Sequence, residues 1–299
     1  MFQKIKRLTK QLYNIKKNIV LLTNKNIIAK QNQDTFYKYA CKKYSKIIEQ
    51  GVQQTEPSKP NNKVFILWLQ GMDKAPLLVK TCIKSIQKHL PDKEIVILTG
   101  QSINDYISFP DYIIEKHKLG IIGPAHFSDL IRISLLCDYG GIWCDATCLM
   151  TETPPTLMTG ETPLFVFKSI DLSRQDVEPT ICSNWYISAW SNQKILLLTR
   201  KLLFEYWKES NKVDDYFIFH IFLAISARRY QKDWDSIPVF NNHSPHILQF
   251  EFSSEFSETR WEQIKKMSPV HKLNHHNNYD PQKNNYYKKI LSLYNDEQT

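Results

Sequence analysis

Val64-Phe65-Ile66-Leu67-Trp68-Leu69 is the stretch on which the fold turns. Six apolar residues in a row suit a strand. No polar residue alternates with them, so both faces are expected to be buried, as in a parallel sheet with a layer on each side. Pro76 then opens a helix expected to run to about His89, and Pro91 stops it. Glu94-Ile95-Val96-Ile97-Leu98 repeats the buried-strand pattern. Ser102 is expected to cap a short helix that ends before Pro110. Strand, helix and strand in this alternation predict an α/β layered domain.

Downstream, residues 125–138 (AHFSDLIRISLLCD) read as a strongly apolar helix. Tyr139-Gly140-Gly141 ends it, because a glycine just past the last turn takes the left-handed cap without strain. Ile142 to Leu149 reads as one strand and Leu164 to Phe167 as another. Residues 193–209 and 214–230 read as helices. Beyond 231 the chain is irregular, aromatic and His-rich, with a small helix expected near 283–294.

Upstream, residues 51–63 (GVQQTEPSKPNNK) are polar, hold two prolines and read as a linker. The boundaries this gives are a helical extension with linker over 1–62 and a folded body over 63–299. In the extension, Ile5, Leu8, Leu12, Ile15, Ile19 and Leu22 form one helical stripe, flanked by Lys4, Lys6, Lys10, Lys16 and Lys17. Residues 1–63 carry 14 Lys/Arg against Asp34, Glu49 and Glu56, a surplus of +11; the whole chain carries +9, which leaves −2 for the rest. Basicity therefore belongs to the extension. Docking on the body, a short coiled-coil seam and an anionic membrane surface all remain open for residues 1–30. Nucleic acid is not expected, since no Arg-rich or aromatic reading surface accompanies the lysines.

Composition excludes other classes. With 299 residues, 42% hydrophobic and 37 aromatic, the chain has the means to build a core and is not a disordered protein. No window approaches the ~20 uncharged apolar residues of a bilayer-spanning helix. The N-terminus lacks an apolar h-region, so no secretory leader is expected. Cysteines at 41, 82, 137, 144, 148 and 182 form no C-x-x-C pair and read as reduced thiols in a cytoplasmic protein.

The chemistry concentrates between Ser128 and Thr147. Asp129 and Arg132 are three apart on a helix, so they share a face. Their helix is otherwise apolar, which makes them either an internal salt bridge or a polar site at a cleft. Asp145 follows among apolar neighbours and needs a partner; a divalent cation or a sugar hydroxyl would serve. No Ser–His–Asp, Walker, G-x-G-x-x-G or H-E-x-x-H pattern occurs, and no catalytic base stands out.

Ser128-Asp129-Leu-Ile-Arg132, Gly140-Gly141 and the DXD-like Asp145-Ala-Thr147 together resemble the bacterial capsular polysaccharide synthesis proteins related to glycosyltransferase family 32. Trp68-Leu-Gln-Gly71, Ser183-Asn-Trp185, Tyr216-Phe-Ile-Phe-His220 and His271-Lys-Leu273 extend the resemblance over roughly residues 64–275. It implies a GT-A arrangement: a Rossmann-like α/β sheet with a nucleotide-diphosphate-sugar donor, UDP-linked by expectation, at the carboxyl ends of its strands. Asp129 and Arg132 would hold the donor's sugar hydroxyls and phosphate. Asp145, Thr147 and His271 would hold Mn²⁺ or Mg²⁺, although Thr147 removes one anionic ligand from the usual pair. Trp68 would stack on the base, Gly71 and Gly141 would let backbone approach the nucleotide, and Lys272 would meet phosphate. Asn184, Trp185 and His220 would face a glycan or lipid-linked acceptor. The implied product is capsular or cell-surface polysaccharide, made with retention at the inner face of the cytoplasmic membrane. A sugar-phosphate transferase and a non-catalytic glycan- or partner-binding module are the alternatives.

Overall fold

The computed structural model describes residues 28–53, 58, 61–169 and 179–295. The stripe from Ile5 to Leu22 lies outside them. Two helices, α1 over 28–43 and α2 (Ser45–Gln50), come first. Strand and helix then alternate through β1 (Lys63–Leu67), α3 (Leu77–His89), β2 (Glu94–Leu98), α4 (Asp111–Lys118), α5 (Pro124–Asp138) and β3 (Gly141–Cys144). Next are β4 (Cys148–Met150), β5 (Leu164–Lys168), β6 (Cys182–Ala189), α6 (Lys194–Glu209) and α7 (Ile218–Arg229). The last stretch holds α8 (Gln231–Asp235), β7 (Phe240–Asn241), α9 (Ile247–Glu251), α10 (Glu258–Met267), β8 (Val270–Lys272) and α11 (Tyr286–Asn295).

Six strands form the central sheet in the order β2-β1-β3-β6-β5-β7. β1 runs parallel to both β2 and β3, and β7 runs parallel to β5. β6 is antiparallel to its two neighbours, β3 and β5. The sheet is buried on both faces, which is why its strands read as unbroken apolar runs. Phe65, Trp143, Val166 and Ile187 pack on one face against α5, α6 and α7. Val64, Ile66, Ile142 and Phe165 pack on the other, with Val79, Ile83 and Ile86 of α3. A third cluster joins Leu78 and Cys82 of α3 to Leu149, Trp261, Ile264 and Ile290.

The helix α5 shows how tertiary burial carries local structure. Gly123 and Pro124 open it without a side-chain cap. Leu130, Ile131, Ile133, Leu135 and Leu136 are fully buried, each contributing about 1.5–3 kcal/mol. Gly140, at φ +69°, ends it. A Cβ there would lie 2.6 Å from the Ser191 nitrogen and 2.9 Å from the Ala189 oxygen.

Several elements differ from the sequence expectations. The single strand expected over 142–149 is two strands in different sheets. Asp145-Ala146-Thr147 is a turn between them, closed by the Cys148 amide donating to the Asp145 carbonyl at 2.9 Å. Ser102 precedes only a single 3₁₀ turn, Ile103–Asp105. β6 is a central strand that carries no clean period, and α10 buries only Trp261 and Ile264. Residues 28–50 do not stand apart from the body: Phe36, Ala40 and Tyr44 are buried in the cluster shared with α6 and α7. No helix among the described residues is long and apolar enough to cross a membrane.

Candidate active site

The turn 145–147 sits where the parallel strands end. β6 begins beyond the end of β3, since Cys144 pairs with Tyr186, and the Asp145 amide donates to the Trp185 carbonyl at 2.8 Å. β8 returns beside the turn: Cys148 pairs with Lys272, and the Leu273 amide donates to the Thr147 carbonyl at 2.9 Å. Trp68 follows β1 at the same edge. These elements, the first two turns of α5 and the segment 216–220 enclose a cleft of about 700 Å³.

Four charged side chains meet in it. Arg132 donates through Nη1 to Asp129 and through Nη2 to Asp145 Oδ1 at 3.1 Å. Its guanidinium lies 4.8 Å from the centre of the Trp143 ring and 5.6 Å from that of Phe219, within cation–π range of both. Asn184 Nδ2 donates to Asp129 Oδ1 at 2.8 Å. Trp143 Nε1 donates to Asp145 Oδ1 at 2.9 Å. Lys272 Nζ stands 3.2 Å from Asp145 Oδ2 and donates to Thr147 Oγ1.

The titration of these groups follows from burial and pairing. Burial pushes the Asp129 carboxyl up to about 6, helped by the neighbouring Asp145 charge and opposed by Arg132 and Asn184. Burial acts the same way on Asp145, but Lys272 and Arg132 outweigh it and hold that carboxyl below its ordinary value. Burial works against the Lys272 charge, and the Asp145 carboxylate reverses it, so the ammonium sits above its ordinary value. His220, in the wall of the cleft, is pushed down to about 3 by burial and then by the nearby Arg132 charge. It is a neutral imidazole at any working pH.

The cleft wall also carries buried polar atoms with no partner among the described residues: Trp68 Nε1, Arg132 Nε, Trp185 Nε1, His220 Nδ1 and Asn242 Oδ1. Buried donors and acceptors are rarely left unmet, because each costs about 1–3 kcal/mol.

Residues 10–290 match the family model described as capsular polysaccharide synthesis protein. The chain belongs to that family. No curated protein matches the chain. Among solved structures, one titled PaToxG Glycosyltransferase aligns with 81% of this chain and 95% of its own, at 15% identity and a TM-score of 0.36.

In this capsular synthesis protein the residues expected at the site divide into two groups. Trp68, Asp129, Arg132, Asp145, Thr147, Asn184, Trp185, His220 and Lys272 all line the one cleft. Three residues do not. His271 is wholly buried and its Nε2 lies 3.1 Å from Thr151 Oγ1. It is the strand neighbour of Lys272 and so faces the other way. Gly141 starts β3, at the end of the strand remote from Asp145; at φ +93° its missing side chain makes room for Asn61 and Lys63. Gly71 bends the chain at φ +83° outside the cleft lining, and a Cβ there would meet no protein atom within 4 Å.

The expected Mn²⁺ or Mg²⁺ set of Asp145, Thr147 and His271 is therefore not assembled in this arrangement. A hard cation needs free oxygen lone pairs. Arg132 and Trp143 face Asp145 Oδ1, and the Lys272 ammonium faces both Asp145 Oδ2 and the Thr147 hydroxyl, where a cation would meet a like charge. Among the described residues, no group of three His, Cys, Asp or Glu is placed to hold a metal ion. Sequence reading passed over Trp143 and His246. Trp143 has a signal, its position two residues before Asp145. His246, whose ring lies 5.7 Å from that of Trp185, reaches the cleft through a fold-back no local pattern announces.

Proposed function

We propose that the protein is a glycosyltransferase that moves a sugar from a nucleotide-diphosphate donor, UDP-linked, onto a capsular or cell-surface glycan acceptor. The observation that carries this is the Asp129–Arg132–Asp145–Lys272 cluster in a cleft at the carboxyl ends of parallel strands, the position where open α/β sheets bind nucleotides. Membership of the capsular synthesis family supplies the class of product. Trp68 would stack on the base, and Arg132 and Lys272 would face the diphosphate. Asn184, Trp185 and His220 would border the acceptor.

In the transfer, the acceptor oxygen bonds to the anomeric carbon. The bond from that carbon to the diphosphate oxygen breaks, and the electron pair leaves with the diphosphate. Asp145 is held through both oxygens by Arg132, Trp143 and Lys272, and Asp129 is held through Oδ1 by Arg132 and Asn184. The leaving diphosphate would take the acceptor proton on the same face, which favours retention, and the protein's part is positioning and charge stabilisation. The basic segment 1–30 would keep the enzyme at an anionic membrane surface where a lipid-linked acceptor is presented.

The test is incubation of purified protein with UDP- and GDP-sugars, followed by separation of the nucleotides formed. Slow release of nucleoside diphosphate, lost in Asp145→Asn, is the expected result. Release of nucleoside monophosphate would assign a sugar-phosphate transferase instead. Nucleotide binding with no release across a panel of acceptors would assign a non-catalytic module.

A further inference from the structure

The disagreement between this donor set and a resident cation is itself informative, given the nucleotide-sugar reading above on which the inference rests. Lys272 lies where a cation bridging the two ends of the Asp145-Ala-Thr147 turn would lie. It touches both, Asp145 through Oδ2 at 3.2 Å and Thr147 through Oγ1. Its backbone is fixed beside the turn by strand pairing, Cys148 against Lys272, and by the Leu273 amide on the Thr147 carbonyl. An ammonium has three donors. Two are spent on the turn, and the third is left for a ligand in the cleft that Lys272 lines.

The charges balance without a metal. Asp129 and Asp145 are matched by Arg132 and Lys272. A divalent cation on Asp145 would have to displace Lys272, or sit against the two positive side chains of Lys272 and Arg132. Thr147 fits this reading as well. A second aspartate at that position would place another negative charge beside Lys272, whereas a hydroxyl accepts one ammonium proton and needs no further counter-charge. His271, the remaining candidate ligand, is bonded to Thr151 on the far side of its strand.

We propose that Lys272 stands in for the divalent cation: its ammonium, held by Asp145 and Thr147, donates its remaining hydrogen bond to the donor's diphosphate, and the protein binds nucleoside diphosphate without metal. The leaving diphosphate then carries its new charge against Lys272 and Arg132.

The experiment is calorimetric titration of full-length protein with UDP and with GDP, in EDTA and then in millimolar Mn²⁺ or Mg²⁺. The expected result is binding in EDTA with a Kd that metal changes by less than about threefold. Lys272→Met should weaken it at least tenfold with no rescue by Mn²⁺, and Lys272→Arg should retain most of it. Electron paramagnetic resonance of Mn²⁺ should show the free-ion signal undiminished by wild-type protein with UDP present, beyond what UDP alone removes. Binding that is absent in EDTA and restored tenfold or more by Mn²⁺ in wild type overturns the proposal while leaving the donor reading intact; this arm does not depend on the variants folding. No nucleotide binding under either condition overturns both.

Discussion

Arg132→Met would remove the one cation that both buried aspartates share. Methionine keeps the apolar stem of the side chain but lacks the guanidinium that lies against Trp143 and Phe219. It leaves Asp129, 9% exposed, with only Asn184, and Asp145 with Trp143 and Lys272. Breaking a buried pair costs about 3–5 kcal/mol, because the orphaned charge stays desolvated. For a domain of this size that lowers the melting point by roughly 10 °C at pH 8. The sign of the pH dependence follows from Asp129. Its carboxyl, already raised to about 6 in the folded protein, loses the guanidinium that opposes the rise. The folded variant then holds that proton to higher pH than the folded wild type does. Stability falls with pH wherever the folded state binds more protons than the unfolded state, so the variant loses ground to wild type from pH 5 to pH 8. The penalty at pH 5 should be smaller by on the order of 1–3 kcal/mol, since the uncharged acid tolerates burial. Thermal and urea unfolding of the two proteins at pH 5, 6.5 and 8 measures this. A penalty below about 1 kcal/mol, or one equal at pH 5 and pH 8, would refute the claim that Arg132 carries both carboxylates.

Other outcomes follow from the same geometry. Gly140→Ala places a Cβ 2.6 Å from the Ser191 nitrogen at a φ of +69° and should cost on the order of 3 kcal/mol, read as a lower unfolding midpoint; a neutral result would mean the turn relaxes freely. Trp68→Ala should weaken nucleotide binding by about 1–3 kcal/mol if its ring meets the base, and unchanged affinity by calorimetry would return Trp68 to a packing role. His271→Gln should leave nucleotide affinity within twofold while lowering the melting point, because His271 packs against Thr151 outside the cleft; a large loss of affinity would place it back at the site.

Much of this molecule was legible before folding. The unbroken run from Val64 to Leu69 and its echo at 94–98 announced strands covered on both faces, and Val64 and Phe65 do bury on opposite sides of the sheet. Gly140-Gly141 marked the end of an apolar helix because only glycine takes that backbone without strain. Asp129 and Arg132 at a spacing of three had to share a helix face, and they do. What stayed hidden depends on pairings distant in sequence. Residues 142–149 read as one strand because apolar residues fill both halves; only the return of β8 beside Cys148 shows that the chain turns at Asp145. His271 and Lys272 are adjacent, and sequence could not say which one faces the cleft. Strand pairing decided it, sending Lys272 to Asp145 and His271 to Thr151. Local periodicity sets which residues are strand or helix, because neighbours along the chain fix it. The ligand set of a buried carboxylate is fixed by whichever distant segment folds back against it, and that is settled only when the whole core packs.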